Sequence, residues 1–300
     1  MIFEETLAGK DSQLMKRDLM EFMQTQMSVF SKGQRCIAKY ILANYEKAAY
    51  MTASKLGALS GVSESTVVRF ALELGYEGYP EMQKALQDVV RTKLTSIQRM
   101  EVTNNRIGDS DVLDKILTAD IEKIRQSLEG IDRNAFYDAI DKIIEAKNIY
   151  IIGVRSSSML AGFMNYNFRM IFDNVKFIQT TSGSEMFEQI MRIGEGDIII
   201  AISFPRYSKR IINAVEFARN RGADVVALTD SAQSPIAEYA DQLLTACSDM
   251  VSFVDSLVAP LSIINAMIVE LARKKQSELT VRLHELENIW EEYDVYDKNK

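Results

Sequence analysis

Two short stretches of this 300-residue chain combine serine hydroxyls with an arginine in a way that suits an anion. Gly153-Val154-Arg155-Ser156-Ser157-Ser158 overlaps the end of the apolar run IYIIGV, and Ser203-Phe204-Pro205-Arg206-Tyr207-Ser208 begins where DIIIAIS ends. A helix-length amphipathic segment follows each, so each is expected at a strand end that opens onto a helix N-terminus. Hydroxyls and backbone N–H groups gathered there, reinforced by the helix dipole, attract phosphate or carboxylate. A guanidinium adds a two-pronged grip that lysine cannot match. The ligand candidates are therefore Arg155, Ser156, Ser157, Ser203, Arg206 and Ser208. Thr180, Thr181, Ser182 and Ser184, after VKFIQT, make a third hydroxyl-rich loop. Serines at such junctions also act as plain caps. Either arginine could instead pair with an acid or sit in a subunit interface, and these readings stay open at this point.

A second pattern, TASKLGALSGVSESTVVRFALELG over 52–75, has the residue types of a DNA-reading helix-turn-helix. Leu56, Val62, Val67 and Phe70 are spaced to bury between two crossing helices. Gly57 sits where they approach most closely, and Gly61 supplies the turn, since only glycine takes positive φ without steric cost. Ser63 is a good N-cap for the second helix. That helix then offers Ser63, Ser65, Thr66, Val68 and Arg69 to a major groove, with Val68 able to touch a thymine methyl. An ordinary helical hairpin is the plain alternative.

The elements that must position these residues follow from periodicity. Residues 11–30 and the stretch from Ser31 through GQRCIAKYILANYEKA have apolar residues at helical spacing, with Ile37, Tyr40, Ile41 and Tyr45 on one face. Tyr76, Gly78, Tyr79 and Pro80 predict a turn leading into a helix. Residues 99–112, polar and without period, are expected as a linker between a helical domain (1–98) and a second domain (113–300). Bridging helices are expected at about 111–130 and 133–147. Five short runs rich in Ile and Val follow, at 149–154, 175–180, 197–203, 224–230 and 242–248. Alternating with helices, they predict a five-stranded parallel sheet covered on both faces, an α/β three-layer sandwich. Two closing helices are expected at 251–273 and 277–293.

Composition narrows the classes. The net charge of −7 divides into +2 for residues 1–99 and −9 for the remainder. A module of +2 attracts phosphates weakly, so tight DNA binding should need two or more copies, a homodimer or homotetramer. No run of eighteen apolar residues exists, so no membrane span is expected. The acidic start MIFEETLAGKDSQLMKRDLM does not resemble a secretory signal, and the expected location is the cytoplasm. Cys36 and Cys247 stand alone and are expected as buried or inert thiols. Neither a metal nor a cofactor is expected.

With both patterns in hand, the whole chain resembles the RpiR family of bacterial transcription regulators. The resemblance rests on IAKYILAN, on residues 52–75, and on the following GYEGYPEMQKAL. In the last stretch Tyr79 and Met82-Gln83 stand where family members commonly have phenylalanine and an acid-lysine pair. The second half resembles a sugar isomerase (SIS) domain of flavodoxin-like topology. Its usual first loop, G-x-G-x-S, is matched at its ends by Gly153 and Ser157, with Arg155 in place of the middle glycine. Its usual second loop, S-x-S-G-x-T, is matched at its ends by Ser203 and Ser208, with Pro205 and Arg206 inside. The resemblance implies double-stranded operator DNA and a phosphosugar or sugar-acid effector as partners, and control of carbohydrate-metabolism genes. A sugar-phosphate isomerase and a non-catalytic scaffold are the alternatives. Isomerisation needs a general base. His284, the single histidine, lies in the C-terminal amphipathic stretch, and Glu185 has no acid partner in sequence, so catalysis is not expected.

Overall fold

Ser31 and Gln34 cap the first long helix reciprocally: the Ser31 N–H donates to Gln34 Oε1 at 2.6 Å, and the Gln34 N–H to Ser31 Oγ at 3.5 Å. Two orphan donors are thereby satisfied before the apolar face begins. The computed structural model describes residues 19–93, 95–107, 111–248 and 250–296, so the part of the 11–30 expectation before Leu19 lies outside the described residues. Two compact units result. One comprises the described residues up to 107 together with Ser252–Val254, the other the described residues from 111 on without that segment.

The first unit is all helix: α1 (Leu19–Thr25), α2 (Lys32–Ala48), α3 (Ala53–Ser60), α4 (Glu64–Glu73), α5 (Tyr79–Lys93) and α6 (Ser96–Ile107). Met23, Ile37, Ile41, Leu56, Val67, Phe70, Met82 and Leu86 are fully buried in one core. Each such side chain stabilises the unit by about 1.5–3 kcal/mol relative to exposure.

Helix α6 corrects the expected linker, since residues 99–107 are helical. The signal was present in Thr95-Ser-Ile-Gln98, a capping box whose Thr95 N–H donates to Gln98 Oε1 at 3.0 Å while the Gln98 N–H donates to Thr95 Oγ1 at 3.3 Å. Gln98 Nε2 also donates to Glu46 Oε1 at 2.8 Å, and Val102 packs on the core. Polar composition concealed a helix held by side-chain bonds.

The second unit contains α7 (Val112–Gly130), α8 (Arg133–Glu145), β1 (Ile149–Gly153), α9 (Ser157–Ile171), β2 (Val175–Ile178), α10 (Gly183–Ile190), β3 (Ile198–Ile202), α11 (Lys209–Asn220), β4 (Asp224–Thr229), β5 (Gln242–Thr245), α12 (Val258–Lys274) and α13 (Gln276–Glu292). The five strands are all parallel, in the order β2-β1-β3-β4-β5, with Gly153 beside Ile202. Alternate residues feed two cores. Ile149, Ile151, Ile198, Ile200 and Val226 join α8, α9 and α12, whereas Tyr150, Ile152, Ile199, Ala201 and Val225 join α10 and α11. This is the three-layer sandwich with a doubly wound sheet. Residues 251–257, expected as the start of a helix, form a loop instead. Ser256 holds it there, its hydroxyl donating to Asp120 Oδ1 at 2.6 Å and its carbonyl accepting from Ser248 Oγ at 2.9 Å.

Candidate functional site

In the first unit, Thr52 and Ser63 cap the two helices of the pair: the Lys55 N–H donates to Thr52 Oγ1 at 3.2 Å and the Thr66 N–H to Ser63 Oγ at 3.3 Å. Gly61 has φ 71°, ending α3 in the left-handed region. A Cβ at Gly57 would lie 2.9 Å from the Val62 carbonyl oxygen, so the turn crosses directly over it. At the N-terminus of α4 the hydroxyls of Ser65 and Thr66 lie 2.9 and 2.8 Å from Ser63 Oγ. Arg69 is exposed one turn on, its Nε donating to the Ser65 carbonyl at 3.4 Å. Ser63, Ser65 and Arg69 therefore share an exposed helix start, with Thr66 half-buried beside them. Val68 departs from the expected exposure: it is half-buried and packs against the core. At helical spacing its face is shared with the buried seam of α4.

Behind this pair lies a hydrogen-bonding arrangement that sequence reasoning missed. The Tyr79 hydroxyl and Gln83 Nε2 both donate to the Met51 carbonyl, at 2.7 and 2.6 Å, and Gln87 Nε2 donates to the Ala49 carbonyl at 3.0 Å. These residues on α5 satisfy the buried connection that leads into α3. Burial pushes the Tyr79 phenol up to about 12. Burial, then the charges of Glu81 and Asp88, push Tyr76 up to about 12 as well.

In the second unit all five strands end on one edge. β1 lies between β2 and β3, so the chain winds away from β1 in both directions, and the β1/β3 carboxyl ends form the switch point at which open α/β sheets take ligands. The loop after β1 carries Arg155, Ser156 and Ser157, and the loop after β3 carries Ser203, Arg206 and Ser208. The loop after β2, with Thr180 to Ser184, adjoins on the other side of β1. Ser157 and Ser203 are buried, Arg206 and Ser208 are half-buried, and Arg155 and Ser156 are exposed. Ser156 and Ser208 both precede helices, yet neither side chain caps its helix, whereas Ser182 caps α10 by accepting from the Glu185 N–H.

Backbone geometry explains how the altered loops are tolerated. A Cβ on Gly153 would come 2.6 Å from the Ser157 carbonyl oxygen, so the first turn of α9 sits directly on β1. Arg155 has φ 56°, a left-handed conformation costly for a branched or long residue. The position that replaces the family's middle glycine thus keeps a glycine-like backbone. Its carbonyl accepts from both the N–H and the hydroxyl of Ser158, at 3.1 and 2.5 Å.

Two further residues join this edge. Tyr207 Oη donates to Asp230 Oδ1 at 2.8 Å, linking the β3 loop to the end of β4, and Thr229 Oγ1 donates to the same oxygen at 3.2 Å. The signal was available: Asp230 closes DVVALTD, the strand expected next to DIIIAIS. Arg210 Nη1 donates to the Thr181 carbonyl and so ties α11 to the third loop. Glu185 accepts from the Thr180 hydroxyl. His284 is on α13, largely exposed, 4.0 Å from Glu287. Cys36 is exposed and Cys247 half-buried, so of the two expected readings, buried or inert, the buried one does not hold for Cys36. Cys36 occupies the solvent side of α2, next to the buried Ile37.

Comparison with known proteins gives matches to both halves. A model of the helix-turn-helix domain of the rpiR family matches residues 17–93, and a model of the SIS domain matches residues 142–270. An HTH-type transcriptional regulator of Clostridium perfringens is 25% identical over 253 residues, 83% of this chain and 90% of that protein. The HTH-type transcriptional regulator HexR of Escherichia coli is 25% identical over 237 residues, 76% of this chain and 77% of HexR. The sugar isomerase domain of an RpiR transcription factor from Sphaerobacter thermophilus superposes with a TM-score of 0.56 at 26% identity, over 58% of this chain and 97% of that one. The Vibrio vulnificus NanR protein complexed with ManNAc-6P shares the fold at a TM-score of 0.57 and 23% identity, over 91% of this chain and 98% of NanR.

Proposed function

The chain belongs to the RpiR family of helix-turn-helix transcriptional regulators that carry a SIS domain, and from that premise we propose a specific division of labour. The first unit reads operator DNA through α4. Ser63, Ser65 and Thr66 meet phosphates at its N-terminus, and Arg69 reads a base edge. Val68 is left with at most a glancing methyl contact. The SIS unit takes up a phosphosugar or related anionic sugar derivative at the β1/β3 switch point, with Ser157, Ser203 and Ser208 as hydroxyl partners, Ser156 on its exposed side, and Arg155 and Arg206 as charge partners.

The observation that carries this reading is the strand order, which reverses direction between β1 and β3 and brings their two serine- and arginine-bearing loops side by side at one edge of the sheet. The loop after β2 adjoins on the other side of β1, and Ser156 and Ser208, which precede the helices after β1 and β3, leave their side chains out of capping. NanR, a neighbour in fold, is known with ManNAc-6P, which supports the ligand class. Regulation rather than isomerisation is the output: the relatives are named transcriptional regulators, and Glu185 and His284, the two candidate bases, are both exposed. The working oligomer is a homodimer or homotetramer, because a +2 module binds duplex DNA weakly as one copy. Its site of action is the cytoplasm, where bacterial DNA lies.

The test is a mobility shift on the DNA upstream of the protein's own operon, at several salt concentrations, with and without a panel of sugar phosphates and sugar acids. A shift that weakens steeply with salt and changes with one of these ligands supports the proposal. No shift even at low salt removes it.

A further inference from the structure

The turn that ends α3 also fixes where α4 begins. A Cβ at Gly57 would lie 3.3 Å from the Glu64 backbone nitrogen as well as 2.9 Å from the Val62 carbonyl oxygen, so the first residue of α4 is seated on the preceding helix. Glu64 is exposed there. Other groups do the capping: Ser63 Oγ accepts from the Thr66 N–H, and the hydroxyls of Ser65 and Thr66 lie 2.9 and 2.8 Å from it. A glutamate closes a capping box from the third helical position, and here that position is Thr66. Glu73, the other acid of α4, accepts from the Gln34 side-chain amide. Among the described residues no hydrogen bond or ion pair engages the Glu64 carboxylate.

On a helix that faces DNA, such a carboxylate is repelled by phosphates unless a base donor meets it. In the major groove guanine offers N7 and O6 and thymine offers O4, all of them acceptors. Adenine sets its N6 donor beside the N7 acceptor, which repels an ionised carboxylate. Cytosine presents its N4 amino group with no acceptor beside it. The first residues of the second helix are the ones that reach base edges in a helix-turn-helix, and Glu64 is the first residue of α4. A carboxylate at a helix N-terminus also steadies the helix through its dipole, a role that would change stability and leave sequence preference alone.

We propose that Glu64 is a specificity-determining residue that accepts a hydrogen bond from cytosine N4 in the major groove and so excludes guanine and thymine at that position. The proposal rests on the reading of α4 as the DNA-reading helix and adds a base to it.

Selection from a library of randomised duplex DNA by the full chain and by its Glu64→Ala and Glu64→Gln variants, followed by titration of the enriched duplex, tests the assignment. The parent should enrich a C·G pair at one position, and replacing that pair should weaken its binding by about 5- to 150-fold. Glu64→Ala should lose the preference at that pair and keep it at the others. Glu64→Gln, whose amide both donates and accepts, should admit adenine there as well. Both variants should keep the parent's helix content by circular dichroism, because the side chain is exposed. A Glu64→Ala variant that selects the same bases as the parent overturns the assignment and leaves α4 as the DNA-reading helix. One that loses affinity equally on every sequence overturns it too, and marks Glu64 as a helix stabiliser. A parent that enriches no sequence overturns the DNA reading and the assignment together.

Discussion

At the scale of single residues, the loop after β1 makes a sharp experiment. Arg155 holds a left-handed backbone, which costs an L-residue about 1–2 kcal/mol. Arg155→Gly relieves that strain but frees the unfolded chain, which returns roughly 0.4–1 kcal/mol. Stability should therefore hold or rise slightly in a thermal melt. If the guanidinium grips the anion, affinity for the best sugar phosphate should fall by about 1.5–3 kcal/mol, the worth of a charged hydrogen bond. Calorimetric affinity equal to the parent's would place the arginine outside the site. Gly153→Ala should behave oppositely. Its methyl meets the Ser157 carbonyl at 2.6 Å, backbone that cannot step aside, so a loss of about 1–3 kcal/mol in stability is expected from overpacking. On the DNA side, Arg69→Ala should cost about 1–3 kcal/mol in operator affinity and relax preference at one base pair. A change that is uniform across operator sequences, with a shallower salt slope, would mark Arg69 as a phosphate contact instead.

At the scale of elements, α5 supports the helix-turn-helix pair from behind. Because Tyr79 and Gln83 both donate to the Met51 carbonyl, either Tyr79→Phe or Gln83→Met alone leaves that oxygen with a partner. Each should cost about 1 kcal/mol or less, while the double variant strands a buried acceptor and should cost roughly 1–3 kcal/mol more than the sum. Additive denaturation midpoints would show that the two bonds are independent. Tyr79 and Tyr76 also set an alkaline limit. A free phenol titrates near 10 and these near 12, so their contribution is complete below pH 10 and is lost as pH rises to 12, of order 1–3 kcal/mol apiece. Unfolding followed between pH 9 and 12 should steepen in that window, and Tyr79→Phe should flatten it. Little of this was legible in sequence. Periodicity marked α2 to α5 and all five strands, because burial repeats at the helical or strand period. The turn at Gly61 and the cap at Ser63 were legible because backbone sterics admit few residues there. Thr95–Gln98 could have been read as a cap, but its helix lacks a clean apolar stripe. Asp120 on α7 has its partner, Ser256, more than a hundred residues away, and no local pattern records it.

At the scale of the whole molecule, the proposed ligand loops and the proposed DNA-reading helix belong to separate compact units. A ligand in one alters the other only through an equilibrium that both bias. If a sugar phosphate changes operator affinity by some factor, operator DNA must change sugar-phosphate affinity by the same factor, because the two paths round the cycle end in one ternary complex. A typical coupling of about 1–3 kcal/mol makes this a 5- to 150-fold effect in each direction. The +2 charge of the first 99 residues and the −9 of the rest add a second constraint. On the proposed division of labour phosphate contacts come from the first unit, and salt should then weaken DNA binding steeply. A ligand that merely shuttles preformed states changes the affinity at every salt concentration, whereas one that withdraws a DNA module from contact also lowers the salt slope. Titrating operator with and without saturating sugar phosphate across 50–300 mM salt, and titrating the sugar phosphate with and without operator at one salt, measures both quantities. Equal factors with a reduced slope are expected if occupied ligand sites pull one module of the oligomer off the duplex. Equal factors with a parallel slope would mean that both modules stay on the DNA and the bound state is only less favoured.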